Sequence, residues 1–259
     1  FLRQRLQNYQ PEITIIPARK RNTSFSPDDP ELIRPLLQAN LIFLGPGSPT
    51  YAVRQLYESR AWHTLIARHR QGATIVMASA ATIAASAQAL PVYEIYKVGE
   101  ELHWLQGLDF FGAYGLSLVF IPHWNNAEGG AELDTSHCFM GEVRFVQLLT
   151  MIPQEMTIVG IDEHTALMID IESGSCHVMG HGGVTVIQSG KEQHFAAQQI
   201  FPLTALGSIK LPEPTLGIPS IIWEETLAAQ TEIAEPAVPP EVMVLAEERQ
   251  AVRDRRDWV

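Results

Sequence analysis

Apolar runs too short to be helices recur along the first two-thirds of the chain, at 13–16, 41–44, 73–77 and 117–121, with helical patterns between them. That alternation constrains the fold most, because strands separated by helices pair in parallel and need cover on both faces. Leu2, Leu6 and Tyr9 fall at helical spacing ahead of the first run. Asp29 followed by Pro30 reads as an N-cap with proline at the first helical position. Thr50 is placed to cap a helix carrying Val53, Leu56 and Tyr57, and a second helix runs through Leu65. A helix of small residues begins at Ala80, directly after the third strand. The expectation is an α/β chain with a mainly parallel sheet in a three-layer αβα sandwich.

Beyond Thr157 the pattern changes. The runs 157–161, 166–171, 177–179 and 184–187 are separated by Gly and Ser turns, which suits an antiparallel extension at one sheet edge. From Pro202 to Pro240 the composition shifts again. Seven of the 17 prolines lie between 201 and 240, and 211–248 holds eight acidic residues and no Lys or Arg. The segment reads as an acidic, proline-rich linker. After it, Val242, Leu245, Val252 and Trp258 lie near one helical face. The domains expected are a body over 1–200, a linker over 201–240 and an amphipathic helix over 241–259.

The 259 residues leave ample chain for a core, and their net charge is -11. Setting the acidic stretch aside leaves 18 basic against 21 acidic residues, or -3, on the rest. That balance argues against general nucleic-acid binding, which needs a basic face. The longest apolar stretch, Leu116 to Pro122, is far short of the roughly 20 residues of a membrane span. The chain opens on Phe1 without the charged start and apolar run of a signal peptide, and both ends read as cut. Cys138 and Cys176 cannot form a disulfide framework, so a cytoplasmic location is expected.

The junction Thr74-Ile75-Val76-Met77-Ala78-Ser79-Ala80-Ala81-Thr82 is where chemistry is most readily placed. A buried strand runs straight into a helix with Ser79 at the corner, the position of a nucleophile elbow. The N–H of Ala80 would then face a developing oxyanion. Ala and Ser are also common wherever a helix packs closely on a sheet. Three other segments add to it, the first two at strand ends, where ligands of open α/β sheets bind at the carboxyl edge, and the third a polar cluster. These are the turn Gly45-Pro46-Gly47-Ser48, His123 after the fourth strand, and Asp162-Glu163-His164 between two later strands. His164, His177 and His181 invite a zinc reading, but His177 and His181 stand roughly 13 Å apart in an extended chain. No metal or cofactor is expected.

Four segments in order resemble the serine peptidase family of cyanophycinase and aspartyl (alpha-aspartyl) dipeptidase. Gly160-Ile161-Asp162-Glu163-His164-Thr165-Ala166 is similar to the family's Gly-Ile-Asp-Glu-x-Thr-Ala signature. Gly45-Pro46-Gly47 is similar to its Gly-Gly-Asn/Asp turn, Ser79-Ala80 to its Gly-x-Ser-Ala-Gly-Ala, and Phe120 to Trp124 to its strand ending in Asp-x-His-Phe. The resemblance runs from about Phe1 to Gly190 and implies a class I glutamine amidotransferase-like fold. It implies Ser79 as nucleophile, His123 as general base and an acid between them in sequence, for which Glu94 is the candidate. Gly47 and Ala80 would supply the oxyanion N–H groups. Ser48, Trp124, Glu163 and His164 are candidate substrate contacts, although Asp162 and Glu163 read more readily as bracing the strand turn. The expected activity is cleavage of a peptide or amide bond in a small, aspartyl-type peptide through an acyl-enzyme.

The departures from the family fall in the site: Met77 and Ala81 stand where it has glycines, and Ile121 where it has aspartate. They suit a catalytically degenerate binding module with a C-terminal interaction helix. Geometry separates the two readings, since an enzyme needs Ser79 Oγ within about 3.5 Å of a His123 ring nitrogen. The tail from Pro240 to Trp258 resembles the C-terminal helical segment of cysteinyl-tRNA synthetases, but the body lacks a synthetase's signatures. That helix is expected to dock on the body or a partner, and a homodimer is the assembly to look for.

Overall fold

The computed structural model describes residues 2–233 of the chain. Helix α1 (Leu2–Arg5) leads through a 3-10 turn to 13–16, which runs as irregular chain instead of the expected strand. Asp29 caps α2 (Pro30–Ile33), accepting from the N–H groups of Glu31 and Leu32. Strand β1 (Leu41–Leu44) then pairs in parallel with β2 (Thr74–Met77), across helices α3 (Pro49–Leu56) and α4 (Arg60–Arg70). Ser48, not Thr50, caps α3, which places Pro49 at its first position. Proline favours that place because its missing N–H has no helical partner there in any case. Helix α5 (Ala80–Ala84) follows β2, and a short antiparallel pair, β3 (Gln88–Ala89) with β4 (Leu105–Gln106), precedes β5 (Leu118–Pro122).

Strand β5 organises the rest. All five of its residues are buried. Val119 and Ile121 enter a cluster with Ile83, Leu90, Phe145 and Leu148, whereas Leu118 and Phe120 enter a second with Val178, Phe201, Leu203 and Leu206. This two-residue period with both faces apolar marks a strand covered on both faces. A left-handed turn, α6 (Ser136–Phe139), and helix α7 (Gly141–Leu149) connect it to β6 (Thr157–Ile161), its parallel neighbour.

The later strands form the expected antiparallel edge extension only in part. β9 (Val184–Gln188) and β10 (Lys191–Phe195) continue the β5–β6 sheet in antiparallel fashion. β7 (Thr165–Asp170), β8 (Ser175–Gly180) and β11 (Ile200–Pro202) instead form a sheet of their own. That sheet supplies Cys176, Val178 and Phe201 to the second cluster, so a β-sheet lies where a helical layer was expected. On β1 and β2, Ile42, Leu44, Ile75 and Met77 pack toward α3 and α4, while Leu41, Phe43 and Val76 stay exposed.

Residues 201–233 are not a free linker. Phe201, Leu203 and Leu206 are core residues, and α8 (Ser220–Ile233) lies against α4. Ile222 packs with Ala67 and Ile218, buried Thr226 accepts from Gln71 Nε2 at 2.8 Å, and Arg60 pairs with Glu225. Arg70 donates to the carbonyls of Glu213, Pro214 and Leu216, which holds the approach to α8. Acidic, proline-rich composition conceals the docking because a few apolar residues, here Ile218, Ile222 and Trp223, suffice to seat a helix. Ile222→Ala should therefore cost about 2 kcal/mol, read as a lower thermal midpoint, whereas a free linker would leave the midpoint unmoved. The amphipathic segment 241–259 and the end of the expected linker lie outside the described residues.

Candidate active site

Strand β2 ends two residues before Ser79, and the Ala78 N–H between them donates to the Leu44 carbonyl at 3.0 Å. The Gly45–Ser48 turn is thereby held beside the serine. Ser79 has φ 52° and ψ -109° and immediately precedes α5. This is a region that a residue with a Cβ rarely occupies, and it is the sharp strand-to-helix corner of a nucleophile elbow. Ala80, the first helical residue, has a backbone N–H with no partner inside its own helix. A Cβ at Gly47 would meet nothing within 4 Å, so that side of the turn faces open space.

His123 is the residue after β5 and also has a positive φ, 55°. Its Nε2 lies 3.0 Å from Ser79 Oγ, and its Nδ1 lies 3.0 Å from Glu163 Oε1. The parallel register explains the second contact. Pro122 sits opposite Ile161, so His123 and Glu163 leave adjacent strand ends at nearly the same level. With a carboxylate on Nδ1, that nitrogen carries the proton and Nε2 is left to accept one.

Glu94 does not hold the position proposed for it. Both ring nitrogens of His123 are committed, to Ser79 and to Glu163. Glu94 instead opens the π-helical turn 94–98, with Oε2 buried and unpartnered. Glu163 was legible as part of a motif, but its duty depends on strand pairing across 40 positions of sequence. The bracing role read for Asp162-Glu163 belongs to Asp162, which accepts from the Gly183 N–H at 2.7 Å. Asn126 Nδ2 donates to Glu163 Oε1 at 2.8 Å, and this bond together with that to His123 holds the Glu163 carboxyl below its ordinary range, while partial burial acts the other way. Asn126 was missed by sequence reasoning. Its only signal was its place three residues after the histidine.

The remaining predicted contacts divide. The Ser48 hydroxyl accepts from the Tyr51 N–H as a helix cap. The Trp124 ring stands edge-on to His137 and Phe145, at centroid distances of 4.3 and 5.1 Å, which makes it a packing residue. His164, at φ 56°, turns the chain into β7, and its carbonyl accepts from the His181 N–H. Met77 packs into the cluster beneath β2, and Ile121 is fully buried in another, so neither stands between serine and histidine. Among the described residues no group of three His, Cys, Asp or Glu side chains is arranged to hold a metal.

The His123 segment is braced from behind. His137, Cys138 and Phe139 are three consecutive left-handed residues, at φ 52°, 58° and 68°. Such a conformation costs roughly 1–2 kcal/mol per residue. In return, the N–H groups of His137 and Cys138 donate to the carbonyls of Trp124 and His123, and the Phe139 ring lies 6.0 Å from the imidazole. Asp134 accepts from the Ser136 hydroxyl and from the N–H groups of Ser136 and Glu142, bonds that bring its carboxyl down to about 2. On the other side Trp124 lies over Gly160, where an added Cβ would sit 2.4 Å from the indole ring. Gly160→Ala should therefore cost about 1–3 kcal/mol of stability by overpacking, with His123 displaced along with its neighbour. Thermal melting gives the first effect, and a slower reaction at Ser79 the second.

A scan against models of known protein families finds no match, and a search of curated proteins finds no relative. Among solved structures, the chain is similar to a peptidase from an acI-B1 Actinobacterium, with a TM-score of 0.60 and 20% identity over 77% of this chain and 73% of that one. A candidate peptidase E from Listeria monocytogenes EGD-e matches at a TM-score of 0.37 and 13% identity, covering 65% of each chain. The first likeness shows that the mixed helix-and-sheet fold, with its parallel strand pairs, is an α/β fold that a peptidase also adopts.

Proposed function

We propose that this chain is a serine-type hydrolase that cleaves a peptide or amide bond through an acyl-enzyme on Ser79. The observation that carries the reading is the unbroken hydrogen-bond chain from Ser79 through His123 to Glu163. Ser79 Oγ attacks the carbonyl carbon as its proton passes to His123 Nε2, and the Glu163 carboxylate stabilises the imidazolium that forms. In this reading the N–H groups of Ala80 and Gly47 receive the oxyanion. His123 then returns the proton to the leaving amine as the C–N bond breaks, leaving the acyl group on Ser79. A water molecule, deprotonated by His123, releases the acid and restores the serine.

The preference for a small aspartyl-type peptide, and a class I glutamine amidotransferase-like ancestry for the sheet, rest on the four-segment resemblance. The Gly160 to Ala166 signature supports them, and the fold likeness supports the coarser peptidase reading alone. A binding module without chemistry has little reason to keep two residues at positive φ whose side chains meet at 3.0 Å. The direct test is fluorophosphonate treatment of the folded protein followed by peptide mass mapping. The adduct is expected on Ser79. Folded protein that stays unmodified would sink the catalytic reading.

A further inference from the structure

We propose that Asn126 is a positioning residue of this site, acting through Glu163 to set the orientation and the protonated nitrogen of His123. The inference rests on the serine-hydrolase reading and extends it by one residue. Glu163 Oε1 receives two donors, His123 Nδ1 at 3.0 Å and Asn126 Nδ2 at 2.8 Å. Glutamate has a long side chain, and that of Glu163 is 31% exposed, so without a second donor it would be free to turn toward water. An amide donor on the same oxygen holds the carboxylate at the vertex where the imidazole needs it.

The direction of the Asn126 amide follows from its surroundings. Asn126 is 3% exposed, and its Oδ1 accepts from the Glu128 N–H at 3.2 Å. Reversing the amide would set an NH2 group against that N–H and an oxygen against the carboxylate, which loses both bonds. The backbone is held too. The Asn126 N–H donates to the His123 carbonyl at 3.2 Å, and neighbouring Asn125 accepts the Glu163 N–H on Oδ1 at 2.8 Å. The segment 123–126 therefore supplies the base and also grips the acid, by its backbone and by its carboxylate.

Two functions of Asn126 separate chemically. Its Oδ1 shapes a turn, and its Nδ2 serves Glu163. Asn126→Asp keeps an acceptor for the Glu128 N–H and loses the donor, whereas Asn126→Ala loses both. The experiment measures the rate of fluorophosphonate labelling at Ser79 in the full chain, with the melting temperature of each variant alongside. In Asn126→Ala and Asn126→Asp, labelling should slow by about 10–100-fold in folded protein, the range typical when a supporting partner of a site residue is removed. If Asn126 acts through Glu163, the two effects cannot add. The double variant Asn126→Ala, Glu163→Gln should therefore label no more slowly than Glu163→Gln alone. Should Asn126→Ala not fold, Asn126→Asp still decides, because its turn is intact. Unchanged labelling in folded Asn126→Asp, or multiplied losses in the double variant, overturns the proposal and leaves the serine-hydrolase reading standing. Absence of labelling in the unaltered protein overturns that reading, and the proposal falls with it.

Discussion

Ser79→Ala is expected to reduce hydrolysis of an aspartyl peptide substrate by about a million-fold, to the level that binding and oxyanion donors alone sustain. The loss is large because, among the described residues, Ser79 is the only group on the His123 Nε2 side that bonds to the ring. Turnover and fluorophosphonate labelling should vanish together. The fold should persist, because among the described residues the serine hydroxyl bonds to the histidine alone and does not cap α5. Alanine keeps the backbone strain at φ 52°, since the penalty comes from the Cβ. Ser79→Gly removes it and should be about 0.5–1 kcal/mol more stable than Ser79→Ala, after allowing for the extra freedom of glycine in the unfolded chain. That difference is measured by thermal or denaturant melting. Equal stability of the two would remove strain from the account of the corner.

Glu163→Gln is the second large effect. It preserves shape and an acceptor oxygen but removes the charge that stabilises imidazolium, and a loss of about 10³–10⁴-fold in the rate of acylation is expected. Glu94→Gln, the substitution at the carboxylate first placed in this role, should label at the unaltered rate. Stopped-flow or competitive labelling of the two variants side by side makes the comparison, and the reverse ranking would restore Glu94. The pH dependence has a definite sign. Glu163 lies below its ordinary 4.5 because its hydrogen bonds favour the carboxylate. Its contribution to stability is thus fully present above 4.5 and is lost only as pH falls through the lower folded value. Because the side chain is about one-third exposed, solvent screening keeps that contribution small. Acid loss of activity above pH 4.5 should therefore not come from Glu163, and Glu163→Gln should leave the melting temperature nearly unchanged across that range.

Much of the site is legible in the amino-acid sequence. The strand-to-helix corner at Ser79 is a local pattern of an apolar run followed by small residues. His123 follows another apolar run, and the same logic placed both at strand ends. What could not be read was the acid. Chain order favoured Glu94, close behind the nucleophile helix, yet Glu163 reaches His123 because β5 and β6 pair with Pro122 opposite Ile161. Asn126 escaped notice for a related reason, since nothing marks an asparagine near a histidine until the carboxylate arrives from another strand.

The chain by itself determined where four of its strands fall, with 41–44, 74–77, 118–122 and 157–161 emerging nearly as read. Those boundaries follow from local periodicity, capping and turn chemistry, which a short window of residues contains. Tertiary structure alone decided which apolar faces meet. It set a β7–β8–β11 sheet where helices were expected, docked α8 from a stretch that looked like linker, and released 13–16 from its strand. An apolar face records that it must be buried but not against what. The partner is chosen by register and packing between segments far apart in sequence, and the carboxylate behind His123 was chosen in the same way.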